Sequence, residues 1–475
     1  MEEGINGWVI SETSRSNFKD ERLNKRYKKL LLSLGDWPNK SIAGAFKSWG
    51  ETIAAYRFFN NKEVNEEDIL LPHKEATIER IKKESLVLIP QDTSTIDFSK
   101  RQAIEGMGYL NDQKTQGFYI HPSLAITKDK GCLGIVDFQS WIRKELGAGK
   151  TRKSRKIEEK ESYCWIKSFE AANQIALAAP HTKIISIADR EGDIYELLEK
   201  LPSETNKAYW LVRCQQNRLV INKDNGEAKR LWEVVRNSEP IGEIEFTLPS
   251  GTIYNRDKSK RKSRKERIVQ QVVRVHTVHL KPTTRKGKKL ESIAVNVIHC
   301  EEINPPSKED KIEWFLLTSY PINDVKTGLE VIEWYLCRWQ IEIFFKILKS
   351  GCTIEELQFE SYQATLNCVA MYSIIAWRIL YLTMLGRNYP NLPCDVVFEA
   401  HEWQSVYAIS TKKPIPKKPP CLYAIIIMIA KLGGFLGRKS DKYPGPKVMW
   451  TGMQRMKDFA QAWQIFQSGD YKSCV

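Results

Sequence analysis

Leu86-Val87-Leu88-Ile89-Pro90 runs into Gln91-Asp92-Thr93-Ser94, and further along Lys183-Ile184-Ile185-Ser186-Ile187-Ala188 runs into Asp189. Each is a short apolar run closed by a polar loop, the pattern of a strand buried on both faces. Between them, residues 118–127 and 133–141 read as two strands around the turn Lys128-Asp129-Lys130-Gly131, and residues 161–179 read as a helix. A second helical pattern covers residues 192–201. Strand, hairpin, helix, strand and helix make a mixed α/β domain with an acidic residue at two strand ends.

The texture changes on either side. The first eighty residues read as helices over 20–32, 41–60 and 66–83, the last with Asn65 in position to cap it. From about 209 to 320 the chain alternates polar and apolar residues, most clearly at 243–248, 268–280 and 293–300, which predicts an antiparallel β insertion. Two basic loops interrupt it. Residues 256–267 hold eight Lys or Arg against Asp257 and Glu266, and residues 285–289 add four more. Helical pattern resumes near 324 and runs past 349, and the Lys/Pro segment 412–420 reads as a linker to a final helical unit.

The 475 residues suggest about three domains. The division expected is a helical DNA-binding domain over 1–80, an α/β catalytic domain over 81–375 and a helical domain over 376–475. Lys and Arg outnumber Asp and Glu by 73 to 58, a net charge of +15, and that surplus favours a polyanion such as nucleic acid. The longest unbroken apolar run, 421–430, has ten residues, where a membrane span needs about 20, so it predicts a buried helix and no membrane partner. The start of the chain has no basic-then-apolar leader pattern, and ten scattered cysteines without a CxxC pair argue against a zinc finger or disulfide scaffold. A reducing cytoplasm is the expected compartment. His276 and His279 lie three apart in a strand-like run, on opposite faces, so they predict no metal pair.

The most informative segment is Tyr335-Leu-Cys-Arg338-Trp-Gln-Ile-Glu342-Ile-Phe-Phe-Lys346-Ile-Leu-Lys349. At about 100° per residue, Tyr335, Arg338, Glu342, Lys346 and Lys349 fall within roughly 80° of one helix face. A solvated salt-bridge face would also put Glu342 four residues before Lys346. Two-metal phosphoryl transfer, however, draws carboxylates from separate segments, because hard divalent ions want several oxygen ligands. Asp92 and Asp189 at strand ends and Glu342 on this helix are such a set, although any one strand-end aspartate is more often a turn or cap residue.

The spacing of Tyr335, Arg338, Glu342 and Lys349 resembles the Tyr-x2-Arg-x3-Glu-x6-Lys signature of the insertion-sequence-four family of bacterial cut-and-paste DDE transposases. Gln91-Asp92-Thr93-Ser94 resembles that family's first aspartate motif, and Ile187-Ala188-Asp189-Arg190-Glu191-Gly192-Asp193-Ile194 its second. The resemblance extends over nearly the whole chain, through Ala55-Tyr56-Arg57-Phe58, Glu302-Ile303-Asn304-Pro305-Pro306 and Ala430-Lys431-Leu432-Gly433-Gly434-Phe435.

That resemblance implies a ribonuclease-H-like catalytic domain carrying the β insertion, an N-terminal module that reads transposon ends and a C-terminal module that pairs two protomers. Asp92, Asp189 and Glu342 would be the catalytic residues, holding two Mg²⁺ ions (Mn²⁺ substituting) through nicking, hairpin formation, hairpin opening and strand transfer. The partners implied are double-stranded DNA, as inverted-repeat ends and target, and a second copy of the chain in a homodimer. Trp314 would stack a flipped base, a strand-core tryptophan being the plainer alternative. Tyr335, Arg338, Lys346 and Lys349 would grip phosphates, and Arg213, Arg22, Arg26, Tyr56 and Arg57 would contact DNA. A bacterial, nucleoid-associated location is implied too. Rival readings are a metal-dependent nuclease without strand transfer and a silent DNA-bridging protein derived from a transposase. The chain departs from the family pattern at Lys19-Asp20-Glu21-Arg22-Leu23, where the family has Gly-Asp-Pro-Arg-Arg, and in the basic segment 146–155, where it is acidic.

Overall fold

Side-chain caps set the N-terminal helices. Asp20 accepts from the Arg22 N–H to start Glu21–Asp36, Ser48 caps Trp49–Phe59, and Asn65 caps Glu66–Ile81 through the Asp68 N–H. Each cap satisfies a donor that the first turn leaves orphaned. The computed structural model describes residues 7–112, 114–144, 155–223, 225–248, 251–254, 261–282, 291–306, 311–438, 441 and 443–468. The segment 146–154, residues 256–260 and the loop 285–289 lie outside them.

The chain divides into two compact units, one of Met1–Ala148 with Trp339–Val475 and the other of Gly149–Arg338. In the first, Gln116–Ile126 is the central strand: it pairs antiparallel with Leu86–Pro90, Ser94–Asp97 and Cys132–Trp141. The N-terminal helices and the long helix Tyr362–Asn388 pack in the same apolar core as these strands, so Tyr27, Phe58, Phe118, Phe344 and Trp377 share one interior. Tyr362–Asn388 has the length and hydropathy of a membrane span, yet 83% of its apolar window is buried in the protein. It is a core helix, and counting only unbroken apolar runs passes over it. Leu422–Leu432 and Pro446–Ser468, beyond the Lys/Pro segment, belong to this unit as well, with Ile425, Ile429 and Met449 buried beside Leu382 of the long helix.

In the second unit, Lys183–Ala188 runs parallel to Tyr209–Arg213, and the remaining ladder is antiparallel: Tyr209–Arg213, Glu313–Thr318, Ile293–Glu302, Arg267–Leu280 and Pro240–Leu248 in spatial order. Antiparallel pairing, expected over 209–320, is present from Tyr209–Arg213 onward, while that strand is also the parallel partner of Lys183–Ala188. The helical pattern expected over 192–201 is shorter, a 3-10 turn at Arg190–Gly192 and a single helical turn at Tyr195–Leu198.

A buried polar knot ties the N-terminal helices to the sheet of the first unit. Glu12 accepts from Arg80 Nη1 at 2.7 Å and from His73 Nδ1 at 2.5 Å, while His73 Nε2 accepts from the Ile135 N–H at 2.9 Å. Arg80 Nε also donates to the Leu133 carbonyl at 2.6 Å, and Trp377 lies against both His73 and Arg80. Burial would raise the Glu12 carboxyl, but His73 and Arg80 hold it down at about 2, from an ordinary 4.5. A carboxylate held low contributes stability above its unfolded pKa and loses it as pH falls towards the folded one. Glu12→Gln should therefore cost on the order of 3 kcal/mol at pH 7. Urea denaturation of wild type and variant over a pH series should show the gap narrowing from pH 4.5 towards 2. A gap independent of pH would mean that the Glu12 charge is not what matters.

Candidate active site

Asp92 leaves the end of Leu86–Pro90, where Gln91 bridges Ser123 on the central strand. It is half-buried, and its Oδ1 accepts from the Thr93 N–H at 2.8 Å. The residues on either side are held by one imidazole. His121, fully buried on the central strand, lies 3.0 Å from Gln91 Oε1 through Nε2 and 2.8 Å from Thr93 Oγ1 through Nδ1. Because the Gln91 carbonyl only accepts, Nε2 carries the proton and Nδ1 accepts from the Thr93 hydroxyl. Burial pushes His121 down to about 3, so the ring is neutral at pH 7 and keeps that tautomer. The sequence alone does not single out His121, whose partners lie far away in the chain.

Glu342 sits half-buried in the first turn of Trp339–Lys346, where the helix N-terminus favours a carboxylate. The continuous helix assumed in placing five side chains on one face is not what forms. Val325–Leu336 ends at a turn through Cys337 and Arg338, and after Lys346 the backbone widens into a π turn, Ile347–Gly351, closed by Cys352 N–H to Ile347 O at 2.9 Å. The 100° count fails at both breaks. Tyr335 and Arg338 belong to the second unit, and Glu342, Lys346 and Lys349 to the first. Lys346 is exposed, and Lys349 lies 3.7 Å from Glu355, whose carboxylate also accepts from the Asp97 N–H at 3.1 Å. Trp339, which no sequence motif singles out, is 55% exposed at the start of the glutamate helix.

The second unit gathers five of the expected residues. Ala188 and Val212 are partners on the parallel strands, so Asp189 and Arg213 emerge side by side at their ends. Asp189 Oδ1 accepts from the Glu191 N–H at 2.8 Å, capping the 3-10 turn. Partial burial, with the Asp189 and Glu161 charges beside it, raises the Glu191 carboxyl. Tyr335 is 5% exposed; burial raises its hydroxyl, which hydrogen-bonds both Arg213 and Arg338 and feels the Asp189 charge. Burial lowers Arg213, as do the neighbouring Arg190 and Arg338. Trp314, half-buried, stacks on Phe246 with centroids 6.0 Å apart and stands 6.5 Å from Tyr335. Two buried groups brace the turns that carry Asp189 and Arg213. Arg218 Nη1 donates to Asp193 Oδ1 at 2.5 Å, and Asp193 Oδ2 accepts from the Gln215 and Gln216 N–H groups at 2.8 and 2.9 Å.

The expected DNA contacts of the N-terminal helices are mixed. Arg22 is exposed but forked onto Asp20, with its shortest contact 2.8 Å. Arg26 is half-buried, and Arg57 is exposed at the end of its helix. Tyr56 packs edge-on against Phe359 at 5.4 Å, a core contact.

Residues 5–64 match the family described as Transposase DNA-binding, residues 167–377 the Transposase DDE domain and residues 374–470 the Transposase Tn5 dimerisation domain. The chain carries the domains of a Tn5-type DDE transposase. Among solved structures, the cryo-EM structure of a piggyBac transposase synaptic complex with hairpin DNA is similar at 11% identity over 81% of this chain and 72% of that one, with a TM-score of 0.36, too low to inform the site. A DDE domain implies dependence on a divalent metal. Asp92, Asp189 and Glu342 offer only hard carboxylate oxygens, the donor chemistry that Mg²⁺ and Mn²⁺ prefer. Among the described residues no group of three His, Cys, Asp or Glu side chains is assembled to hold an ion. Asp92 and Glu342 belong to one unit and Asp189 to the other.

His121 gives the transposase domains a test away from the carboxylates. His121→Ala removes the splint on both neighbours of Asp92, and if Asp92 is one of the catalytic carboxylates its misplacement by about 1 Å costs on the order of 100-fold. Single-turnover nicking of end DNA should fall by that factor while gel-shift affinity stays within about twofold. Unchanged nicking would free Asp92 of any need for the imidazole.

Proposed function

We propose that the chain is a cut-and-paste DNA transposase of the insertion-sequence-four family, with a ribonuclease-H-like catalytic domain over 81–375, a DNA-end-reading domain over 1–80 and a dimerisation domain over 376–475. The observation that carries this reading is the gathering of Asp189, Arg213, Tyr335, Arg338 and Trp314 around two strand ends in a chain with DDE transposase domains. A carboxylate beside two guanidinium groups, a phenol and an aromatic ring can meet, respectively, a metal, phosphates and a base. The nuclease rival gives no reason for an aromatic ring beside the phosphate-binding cluster.

Asp92, Asp189 and Glu342 serve as the metal-binding carboxylates, and two Mg²⁺ ions, with Mn²⁺ able to replace them, supply charge stabilisation at the reacting phosphate. Arg213, Arg338 and Tyr335 hold the backbone next to it; Lys346 and Lys349 add cations from the glutamate helix and its π turn. Water first opens one strand to leave a 3′-OH. That hydroxyl attacks the opposite strand, closing a hairpin that a second water opens, and the freed 3′-OH then joins target DNA. Trp314 receives the base that must leave the stack when the two strands bend together. Arg22, Arg26, Tyr56 and Arg57 belong to the end-reading domain, where Arg22 exchanges Asp20 for phosphate. A homodimer pairs two ends, and the reaction takes place on DNA in the bacterial cytoplasm.

Incubating the full-length protein with its flanking inverted-repeat DNA and Mg²⁺ should yield nicked, hairpin and strand-transfer products on denaturing gels. Nicked product alone would favour the nuclease rival, and no cleavage with either metal would favour the bridging one. Asp92→Ala, Asp189→Ala and Glu342→Ala should each lower cleavage at least about 100-fold, since metal stabilisation is worth several kcal/mol. End binding should persist in all three. A variant that cleaves at near the wild-type rate would remove its residue from the catalytic set.

Base stacking offers a separate test. Stacking contributes about 1–3 kcal/mol per base, roughly 5- to 150-fold in rate if felt fully in the transition state. Trp314→Ala should nick normally and lose hairpin by a factor in that range, with partial rescue by an abasic site at the flipped position. Equal loss of both steps without rescue would make Trp314 a packing residue.

A further inference from the structure

Phe246 and Trp314 are far apart in the ladder of the second unit. Pro240–Leu248 pairs with Arg267–Leu280, that strand with Ile293–Glu302, and only the last with Glu313–Thr318. Three strand spacings amount to about 14 Å in a flat sheet. The two ring centroids are nevertheless 6.0 Å apart, with planes 27° from parallel. The insertion therefore curls until its edge strand returns to the tryptophan. A register shift between Pro240 and Gly242 lies at the start of that strand, where bulges increase bend and twist. Along it, Glu243, Glu245 and Thr247 are exposed while Ile244, Phe246 and Leu248 are half-buried, so Phe246 is on the side that faces inward.

An aromatic side chain on a strand can swing about its χ1 unless something holds it, and a loose ring is a poor platform. Phe246 covers one face of Trp314 in an offset stack, and Tyr335 stands 6.5 Å away at 57°, its hydroxyl held by Arg213 and Arg338. One aromatic neighbour is thus packed flat on the tryptophan, and the other belongs to the group of side chains suited to a phosphate. We propose that Phe246 is a positioning residue for hairpin formation: it backs the Trp314 ring, so that a base leaving the DNA stack lands on the face Phe246 does not cover. This rests on the reading of Trp314 as the acceptor of a flipped base. It gives the β insertion a part in the reaction, that of delivering the ring that steadies the platform.

The test uses full-length protein, end DNA already nicked on the first strand, and Mg²⁺, with hairpin closure monitored under single-turnover conditions. Intact end DNA reports nicking separately. Aromatic pairs contribute enough beyond their buried area that Phe246→Ala should slow hairpin closure by about 2- to 10-fold, with nicking unchanged. Phe246→Tyr, which keeps the stack, should close hairpins at the wild-type rate. An abasic site opposite Trp314 should shrink the Phe246→Ala defect, because no base then needs the platform. Trp314→Ala measured in parallel separates the two ideas. If it loses hairpins and Phe246→Ala does not, Phe246 has no positioning role and the base-stacking reading stands. If neither variant slows closure, the base-stacking reading fails first. Equal slowing of nicking and closure by Phe246→Ala would reduce the residue to packing. Faster closure would make it a competitor for the tryptophan face. Either result overturns the proposal.

Discussion

The second unit depends on one buried ion pair. Asp193 and Arg218 have side chains 0% and 5% exposed, and the aspartate also takes two backbone N–H groups of the next turn. Such a pair contributes little net stability when complete, but losing one partner strands a charge in the interior at a cost of about 3–5 kcal/mol. The pair is better understood through what it fixes. Asp193 closes the turn that leaves Lys183–Ala188, and Arg218 lies in the turn that leaves Tyr209–Arg213. Two parallel strands set the spacing of their last residues, but turns beyond a sheet edge have no ladder to hold them. The carboxylate and guanidinium supply that missing rung, so Asp189 and Arg213 leave the sheet at a fixed separation.

His121 does comparable work in the first unit by the opposite electrostatic route. There the buried group is neutral, and its value lies in having one donor and one acceptor on opposite edges of a flat ring. An amide or hydroxyl could reach Gln91 or Thr93, but scarcely both in a fixed plane. The two aspartate loops are thus immobilised independently, one by a charge pair and one by an uncharged imidazole.

Much of the α/β pattern was legible because it is local. The runs ending at Asp92 and Asp189 state both their burial and their exits, and the cap at Asn65 stands next to the turn it serves. What escaped was nonlocal or aperiodic. His121 shows no signal of its own, since its partners are brought to it by the pairing of Gln91 with Ser123. Phe246 reads as an ordinary alternating strand residue until the sheet curls. The long helix Tyr362–Asn388 is apolar on average but interrupted, so a search for unbroken runs settles on 421–430 instead. The stripe from Tyr335 to Lys349 presumes an ideal helix, and nothing in the order of residues announces a turn at Cys337 or a widening after Lys346.

That widening also bears on how the segment tolerates length change. A π turn is an α-helix carrying one residue more than its hydrogen bonds need. Directly after it, Thr353 adopts a left-handed backbone at φ 48°, and Gly351 is so close to Trp450 that a Cβ there would meet the indole at 3.0 Å. Deleting one residue from Ile347–Gly351 would let the helix close with regular winding, the bulge taking up the change, whereas a deletion within Trp339–Lys346 would turn the chain beyond it by about 100° and shift it by about 1.5 Å. The long helix Tyr362–Asn388 lies in that stretch, and its sides are nearly all committed to the core. The surplus residue is thus slack in the frame: a chain shortened by a single codon here keeps the phase between the glutamate helix and the helix on which its unit is built, and one shortened a turn earlier does not.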